Sequence, residues 1–557
     1  MSASDKKKLR KEQYEQKLTE RQKKAKAEAK QLQVSTVAFV VAMIAIVCLF
    51  VGIGSYKFWT QNGISEKLTT TTVITGPTGN TYKLNTVDLS YYYQDIINET
   101  VGSMYGQSYA DFYFEYIQLD LDQSLTTQIN PENNKTWSDT FLDYAYDAIQ
   151  SDYAMYDLAL RDGFTLSAED QATLDAEITT IEASGDANAY LSSYYGAGAN
   201  VKNYRQYRER QMIAEAYYTA HSDSLTFTDE TLRAYEMDKK DNYNSYTYAY
   251  SYMSYKDFLE GGVEDEDGNK TYTEAENDAA RKKAKEAADK LAKGTSVDEM
   301  KEIIKDIKVN ESSQLAVNQE KNQSHSTASS RNNNLAKWLA DDARTKGEVG
   351  IVSVTAEVED TETEGAKKTV TNGYYVVYFQ EKNDNTAPMD NVRHILISPE
   401  GGTIDDTTGE TVYSEEELAA ARDEAQALLD SWKNGAATEE SFIALVKENT
   451  DDTGSAETGG LYANIHHSSE YVENFRAWAI DPSRKAGDTG LVSSDYGWHI
   501  MYYVGESDTS YRDQMITEEL CADELNNWYQ TNYALTKIER KNLKKLEREF
   551  LALAFSA

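Results

Sequence analysis

The chain has 557 residues, too many for one hydrophobic core, so several domains are expected. Its formal net charge is −37, from 93 Asp and Glu against 56 Lys and Arg. A surface this acidic repels polyanions, which excludes nucleic acid as an expected partner.

Residues 1–33 break the acidic trend, with 11 Lys and Arg against 5 Asp and Glu, and read as a solvated basic arm. Residues 34–54, VSTVAFVVAMIAIVCLFVGIG, contain no charge. At about 1.5 Å per residue such a helix crosses the roughly 30 Å hydrocarbon core of a bilayer. The basic arm before it is expected to stay cytoplasmic and the bulk of the chain to lie outside. A cleaved signal peptide would have a shorter apolar run and a small-residue cleavage site. The alternative of a lipid-modified Cys48 is disfavoured by Val47 before it and by the apolar run that continues after it. With Cys48 in the span and Cys521 the only other cysteine, the outer part cannot form an internal disulfide. That fits a single-pass protein of a bacterial cell membrane better than an animal secretory pathway.

Residues 55–240 read as a mostly helical domain. Apolar and aromatic residues recur at three and four spacing, as in TFLDYAYDAIQSDYAMYDLAL and YRQYRERQMIAEAYY. Ser167 and Thr228, each followed by acidic residues, mark helix starts. Of the whole chain, 41 residues are Tyr. Rings at these spacings build helix–helix core, and they also suit a surface that binds varied polypeptides.

Beyond residue 240 the pattern changes to strand, long helix and strand, and then repeats. The stretch 334–353 aligns without a gap with 474–493, sharing Asn, Trp, Asp, Arg, two Gly, Val and Ser. Upstream, 281–294 matches 422–435, and alternating strands follow at 372–379 and 496–504. Two tandem domains are expected, 241–385 and 386–507. Residues 508–557 read as two further helices that dock on the helical domain.

The candidate chemistry lies in the second repeat. His394 sits in VRHILIS and His499 in GWHIMYYV, both strand-like, with ENTDDTGSAETGGL between them. His-Ile-Leu-Ile at 394–397, Asp-Asp-x-x-Ser-x-x-x-Gly-Gly-Leu at 451–461, Phe475, Lys-Ala-Gly-Asp at 485–488 and Gly-x-His-Ile at 497–500 follow in order. With these motifs, residues 390–506 resemble the parvulin family of peptidyl-prolyl isomerases. The resemblance implies a four-stranded antiparallel sheet wrapped by helices, with His394 and His499 on adjacent central strands. It gives His394, Asp452 and His499 the catalytic places. Leu461, Tyr471 and Phe475 take the proline pocket, and Ser494 the hydroxyl that bonds the histidine pair. Tyr471 replaces a usual Met, and Tyr462 stands where Gly is common. The first repeat has Tyr375 in place of His499 and an Asn/Ser-rich segment at 317–334, and reads as a degenerate copy.

Rotating an X–Pro bond means crossing a barrier of about 18–20 kcal/mol set by amide resonance. No bond breaks, so no cofactor and no metal are expected, and His466 and His467 make a poor zinc case without Cys or a Glu-x-x-His spacing. The acidic loop at 399–415 has no Lys or Arg, so phosphopeptides are not expected substrates.

The order of anchor, helical region, two parvulin-like domains and closing helices resembles the exported foldases of the PrsA/SurA type. The expected fold class is therefore α+β: one transmembrane helix, a mostly helical chaperone domain and two tandem parvulin-like domains. The expected partners are unfolded or newly exported polypeptides, with a homodimer left open. The rival expectation is a holdase or envelope scaffold whose isomerase-like domains are both inert.

Overall fold

The computed structural model describes residues 62–542 apart from 103–109, 121–122, 184, 238, 265–268, 360–365 and 405–410, together with a few residues before 62. The expected span at 34–54 and most of the basic arm lie outside the described residues. Among those described, no helix is long and apolar enough to cross a membrane. The chain divides into two units, one made of residues 1–225 and 523–557 and the other of residues 226–522.

The first unit begins with a hairpin, β1 (Thr70–Thr75) and β2 (Thr81–Asn85), followed by helix α1 (Thr86–Gly102). Helices α2 (Trp137–Arg161) and α3 (Val201–Ser224) pack with α1 around one core. Tyr91, Tyr92, Tyr146 and Tyr207 are among its largest fully buried side chains. A buried phenol costs free energy unless its hydroxyl is bonded. Here Tyr92 donates to Asp152 at 2.9 Å, and Tyr195 and Tyr207 both donate to Asp95 at 2.8 Å. The Tyr-rich pattern thus builds a core of packed rings in which the hydroxyls of Tyr92, Tyr195 and Tyr207 meet carboxylates.

Two expectations are corrected here. Where residues 508–557 are expected to be two helices, the described part, which ends at residue 542, holds one helix, Tyr511–Leu535, and then a strand, Lys537–Arg540. That strand pairs antiparallel with β1, and Ile538 packs on the core, so sheet pairing overrides the charged, helix-like composition. The hairpin at 70–85 is likewise strand in a region expected to be helical.

The second unit holds two sheets of the same plan. In the first, β3 (Ser245–Ser254), β4 (Asn318–Ser324), β5 (Val349–Glu359) and β6 (Lys367–Asn383) lie in the order β4-β3-β6-β5. In the second, β7 (Pro388–Ile397), β8 (Leu461–Ile465), β9 (Thr489–Ser494) and β10 (Gly497–Ser510) lie in the order β8-β7-β10-β9. All pairings are antiparallel. The Asn/Ser-rich segment expected to replace a loop in the first repeat instead forms β4 and a short helix, His325–Arg331.

Each sheet divides its side chains by the two-residue period of a strand. In the second sheet, Ile395, Ile397, Ile500 and Tyr502 face helices α4 (Glu415–Asn434) and α5 (Glu439–Asn449). Val392, Met501 and Tyr503 face the other way, toward Phe475 and Ala479 of α6 (Glu473–Ala479). The residues shared by the repeats serve one device. Arg344 lies 4.8 Å from the Trp338 ring centroid and Arg484 lies 4.3 Å from that of Trp478. A Cβ on Gly350 would come within 2.3 Å of Trp338, and one on Gly490 within 2.5 Å of Trp478. The shared Asn side chains donate to the shared Ser carbonyls, Asn334 to Ser353 at 3.2 Å and Asn474 to Ser493 at 3.1 Å.

Candidate active site

Register brings the two histidines together. On β7 and β10, Met501 pairs with His394 and Leu396 with His499. Both imidazoles lie an even number of residues from Val392, Met501 or Tyr503 on their own strands, which puts them on the α6 face of the sheet. Their rings stack with centroids 5.2 Å apart, and their Nδ1 atoms lie 3.0 Å apart.

Asp452 is delivered from the segment after α5. The Leu396 N–H donates to Thr450 Oγ1 at 3.1 Å, and the Asp451 N–H donates to the Leu396 carbonyl at 2.9 Å. These bonds fasten the segment along β7 and place Asp452 Oδ2 2.9 Å from His394 Nε2. Beyond it, Gly459 and Gly460 both have left-handed backbone, with φ of 67° and 71°. A Cβ at Gly460 would meet the His394 carbonyl at 2.3 Å, so only glycine lets the chain return close enough to accept the His394 N–H at 2.9 Å.

The tautomers follow from the partners. A carboxylate only accepts, so His394 Nε2 carries the proton toward Asp452 and leaves Nδ1 as an acceptor. His499 Nδ1–H then donates to it, and His499 Nε2 accepts from the Ser494 hydroxyl at 2.7 Å. Every ring nitrogen is satisfied with both histidines neutral. Burial pushes the His394 imidazole below its ordinary range, against the pull of Asp452. Burial and the neighbouring His394 bring His499 down to about 4. Burial alone would raise the Asp452 carboxyl, but hydrogen bonds from Ser455, His394 and Tyr462 outweigh it and hold it at about 2. The site therefore has one fixed negative charge beside a neutral, orientationally locked imidazole pair.

An aromatic cluster adjoins the pair. Phe475 is 3 % exposed and lies edge-on to His394 and His499, at 5.2 and 5.3 Å. Tyr462 and Tyr471 flank it at 5.5 and 5.7 Å. The structure thus brings together His394, Asp452, His499, Ser494, Tyr471 and Phe475. Leu461 is the exception. It pairs with Arg393, whose guanidinium bonds Glu439 of α5, so Leu461 belongs to the opposite face of the sheet. Tyr462, paired with Val392, stands on the histidine face in its place. A motif gives order along the chain but not which face a residue takes, and the signal that would find Tyr462 is the register of β8.

His466 and His467 lie apart from this cluster. His467 bonds Ser245 at 2.8 Å and Asn383 at 3.3 Å, and His466 stacks on Tyr511 with centroids 3.4 Å apart.

The first repeat holds different residues at matching positions. Val352 pairs with Tyr375 as Val492 pairs with His499, and Tyr252 pairs with Tyr375 as Leu396 does with His499. Tyr375 therefore takes the place of His499, and Tyr250 that of His394. Their rings are 5.8 Å apart. Glu320, which pairs with Tyr248 as Tyr462 does with Val392, forms an ion pair with Arg331 at 2.8 Å. Arg331 covers the Tyr250 ring at 4.6 Å and also bonds its hydroxyl.

Residues 394–505 match the family model of the PPIC-type PPIASE domain, the rotamase family. This chain carries a parvulin-type peptidyl-prolyl isomerase domain. The isomerase domain accounts for the second sheet and the helices around it. No curated protein matches the chain. Among solved structures, the peptidylprolyl isomerase PrsA of Bacillus anthracis is 22 % identical over 29 % of this chain and 62 % of its own, with a TM-score of 0.17. PrsA of Bacillus subtilis is 21 % identical over 26 % of this chain and 48 % of its own, also at 0.17. A structure from a study of SurA-like chaperones of Campylobacter jejuni is 19 % identical over 31 % and 55 %, at 0.16. Each match spans less than two thirds of the solved chain, and the assignment of the isomerase domain rests on the family match.

Proposed function

We propose that the chain is a membrane-anchored, extracytoplasmic folding factor that isomerises X–Pro bonds in its second parvulin-like domain and holds unfolded chains on its helical unit. The observation that carries the catalytic part is the closed network of Asp452, His394, His499 and Ser494 beside the aromatic cluster. Catalysis of rotation requires binding the twisted amide better than the planar one. The half-buried rings of Tyr462 and Tyr471, with Phe475 beneath them, offer the proline ring an apolar seat. The locked histidines form a rigid floor that needs no reorganisation as the preceding carbonyl swings. The Asp452 charge disfavours the planar amide, whose oxygen carries the most negative charge.

The anchor rests on the 21 uncharged residues at 34–54 behind a basic arm. The client-holding role rests on the Tyr-rich composition of the helical unit and on its 430 Å³ cavity, where Met155, Ala214, Tyr218 and Tyr529 meet Asp152 and Arg208. Proline isomerisation is slow enough to limit folding, so joining a holding surface to an isomerase suits clients that emerge unfolded.

The test is the cis-to-trans rate of an Ala–Pro peptide with the full chain and its His394→Ala form. A rate enhancement lost in the variant supports the site. No enhancement from folded wild-type protein would leave a holdase with two inert domains.

A further inference from the structure

Tyr462 joins both halves of the isomerase site, packing on the rings of both and bonding Asp452 as well. Its ring is edge-on to His394 at 4.9 Å and 82°, and edge-on to Tyr471 at 5.3 Å and 76°. Its hydroxyl donates to Asp452 Oδ2 at 3.0 Å, the oxygen that also accepts from His394 Nε2 and from the Ser455 hydroxyl. The other carboxylate oxygen accepts the backbone N–H of Gly454 at 3.1 Å. The orientation of Asp452 is therefore set through Oδ2, and Tyr462 supplies a donor there from a strand instead of a loop. Burial and Asp452 push its hydroxyl up to about 12, so it remains a donor at every pH the enzyme meets.

We propose that Tyr462 is a positioning and specificity-determining residue of the isomerase: its hydroxyl holds Asp452 against His394, and its ring walls the proline slot beside Tyr471. The specificity half rests on the slot reading given above, whereas the tether does not. With the hydroxyl gone, Asp452 keeps Ser455, His394 and the Gly454 N–H but loses one of three donors at Oδ2, so its hold on the orientation of His394 loosens. With the ring gone, the slot widens on one side. A slot walled by aromatic rings should reject a six-membered imino acid, because one extra methylene in a tight apolar pocket is worth about ten-fold or more.

The chain contains six histidines, which makes selective 15N-histidine labelling of the full chain practicable. Tyr462→Phe keeps the ring. It is expected to lower kcat/KM for an Ala–Pro peptide about five-fold, the scale of one net hydrogen bond, with KM unchanged. It should shift the ring resonances of His394 and His499 and leave those of His221 and His325 in place, a pattern that general loosening would not give. Tyr462→Ala should in addition bring the preference for proline over pipecolic acid from about ten-fold or more to within about three-fold. Wild-type rate and unshifted His394 resonances in Tyr462→Phe would overturn the tether. Unchanged discrimination in Tyr462→Ala would overturn the wall. Were the wild-type chain itself inactive, the slot reading and the wall would fall together, and the His394 resonances of Tyr462→Phe would still decide the tether.

Discussion

The two repeats of the second unit share a frame and differ at its centre. Both stack Arg on Trp on Gly, and both tie Asn to the following strand. Where one sets His394 and His499 beside Phe475, the other sets Tyr250 beside Tyr375 and under Arg331, which pairs with Glu320. The first repeat lacks the histidine pair, and Arg331 also lies over the Tyr250 ring that stands in the place of His394. A frame held by stacking and backbone bonds can be kept while the face it presents is changed.

The largest effect that would test this contrast is catalytic. Replacing His394 and His499 with Ala should lower kcat/KM for an Ala–Pro peptide about a hundred-fold, as loss of a preorganised polar site does. Replacing Tyr250 and Tyr375 with Ala should leave it unchanged. Equal losses from both pairs would put catalysis in both repeats.

The next effect should be common to the two. Phe475 and Leu335 occupy matching helix positions and are 3 % and 0 % exposed. Each change to Ala should cost about 3 kcal/mol in urea unfolding, and only Phe475→Ala should also raise KM.

A pH series separates them again. Burial lowers His466, His467 and His499, all in the second repeat, to about 4. Below their ordinary value near 6.5 these groups bind protons more readily unfolded than folded, so their stabilisation is complete above that pH and is lost as pH falls toward 4. The first repeat has only His325, which burial also lowers. Amide exchange should therefore quicken on acidification in β7–β10 before it does in β3–β6. Simultaneous loss would mean that other groups govern acid stability.

The smallest expected effect is none. Adding Tyr250→His and Tyr375→His to a His394→Ala background should restore no activity, because Arg331, paired with Glu320, still lies over position 250. Recovery would show that the ion pair yields to substrate.

How much of this was legible in the sequence follows the same division. The repeat was readable because Trp338 and Trp478, Gly350 and Gly490, and Arg344 and Arg484 make one contact twice. His394, His499 and Asp452 could be placed by motif order, and the structure brings them within hydrogen-bonding reach. Motif order puts Leu461 in the pocket, whereas its pairing with Arg393 puts it on the other face, because a single residue of register moves a side chain across the sheet. The Arg331–Glu320 pair went unread because it joins residues from a strand and a helix hidden in an Asn/Ser-rich stretch. The hairpin of β1 and β2 and the strand Lys537–Arg540 were missed because they form one sheet only through pairing that local composition does not encode.

That last strand also sets an order of assembly. Asn542 donates to the Thr70 carbonyl across 472 residues, beside the pairing of Lys537–Arg540 with β1. Residues 226–522 are contiguous and can reach their native state while later residues are still being synthesised. The Tyr-rich unit cannot be completed then: β1 waits for Lys537–Arg540, and closing so long a loop is slow. During biogenesis the part proposed to hold other unfinished chains is itself the last to be finished.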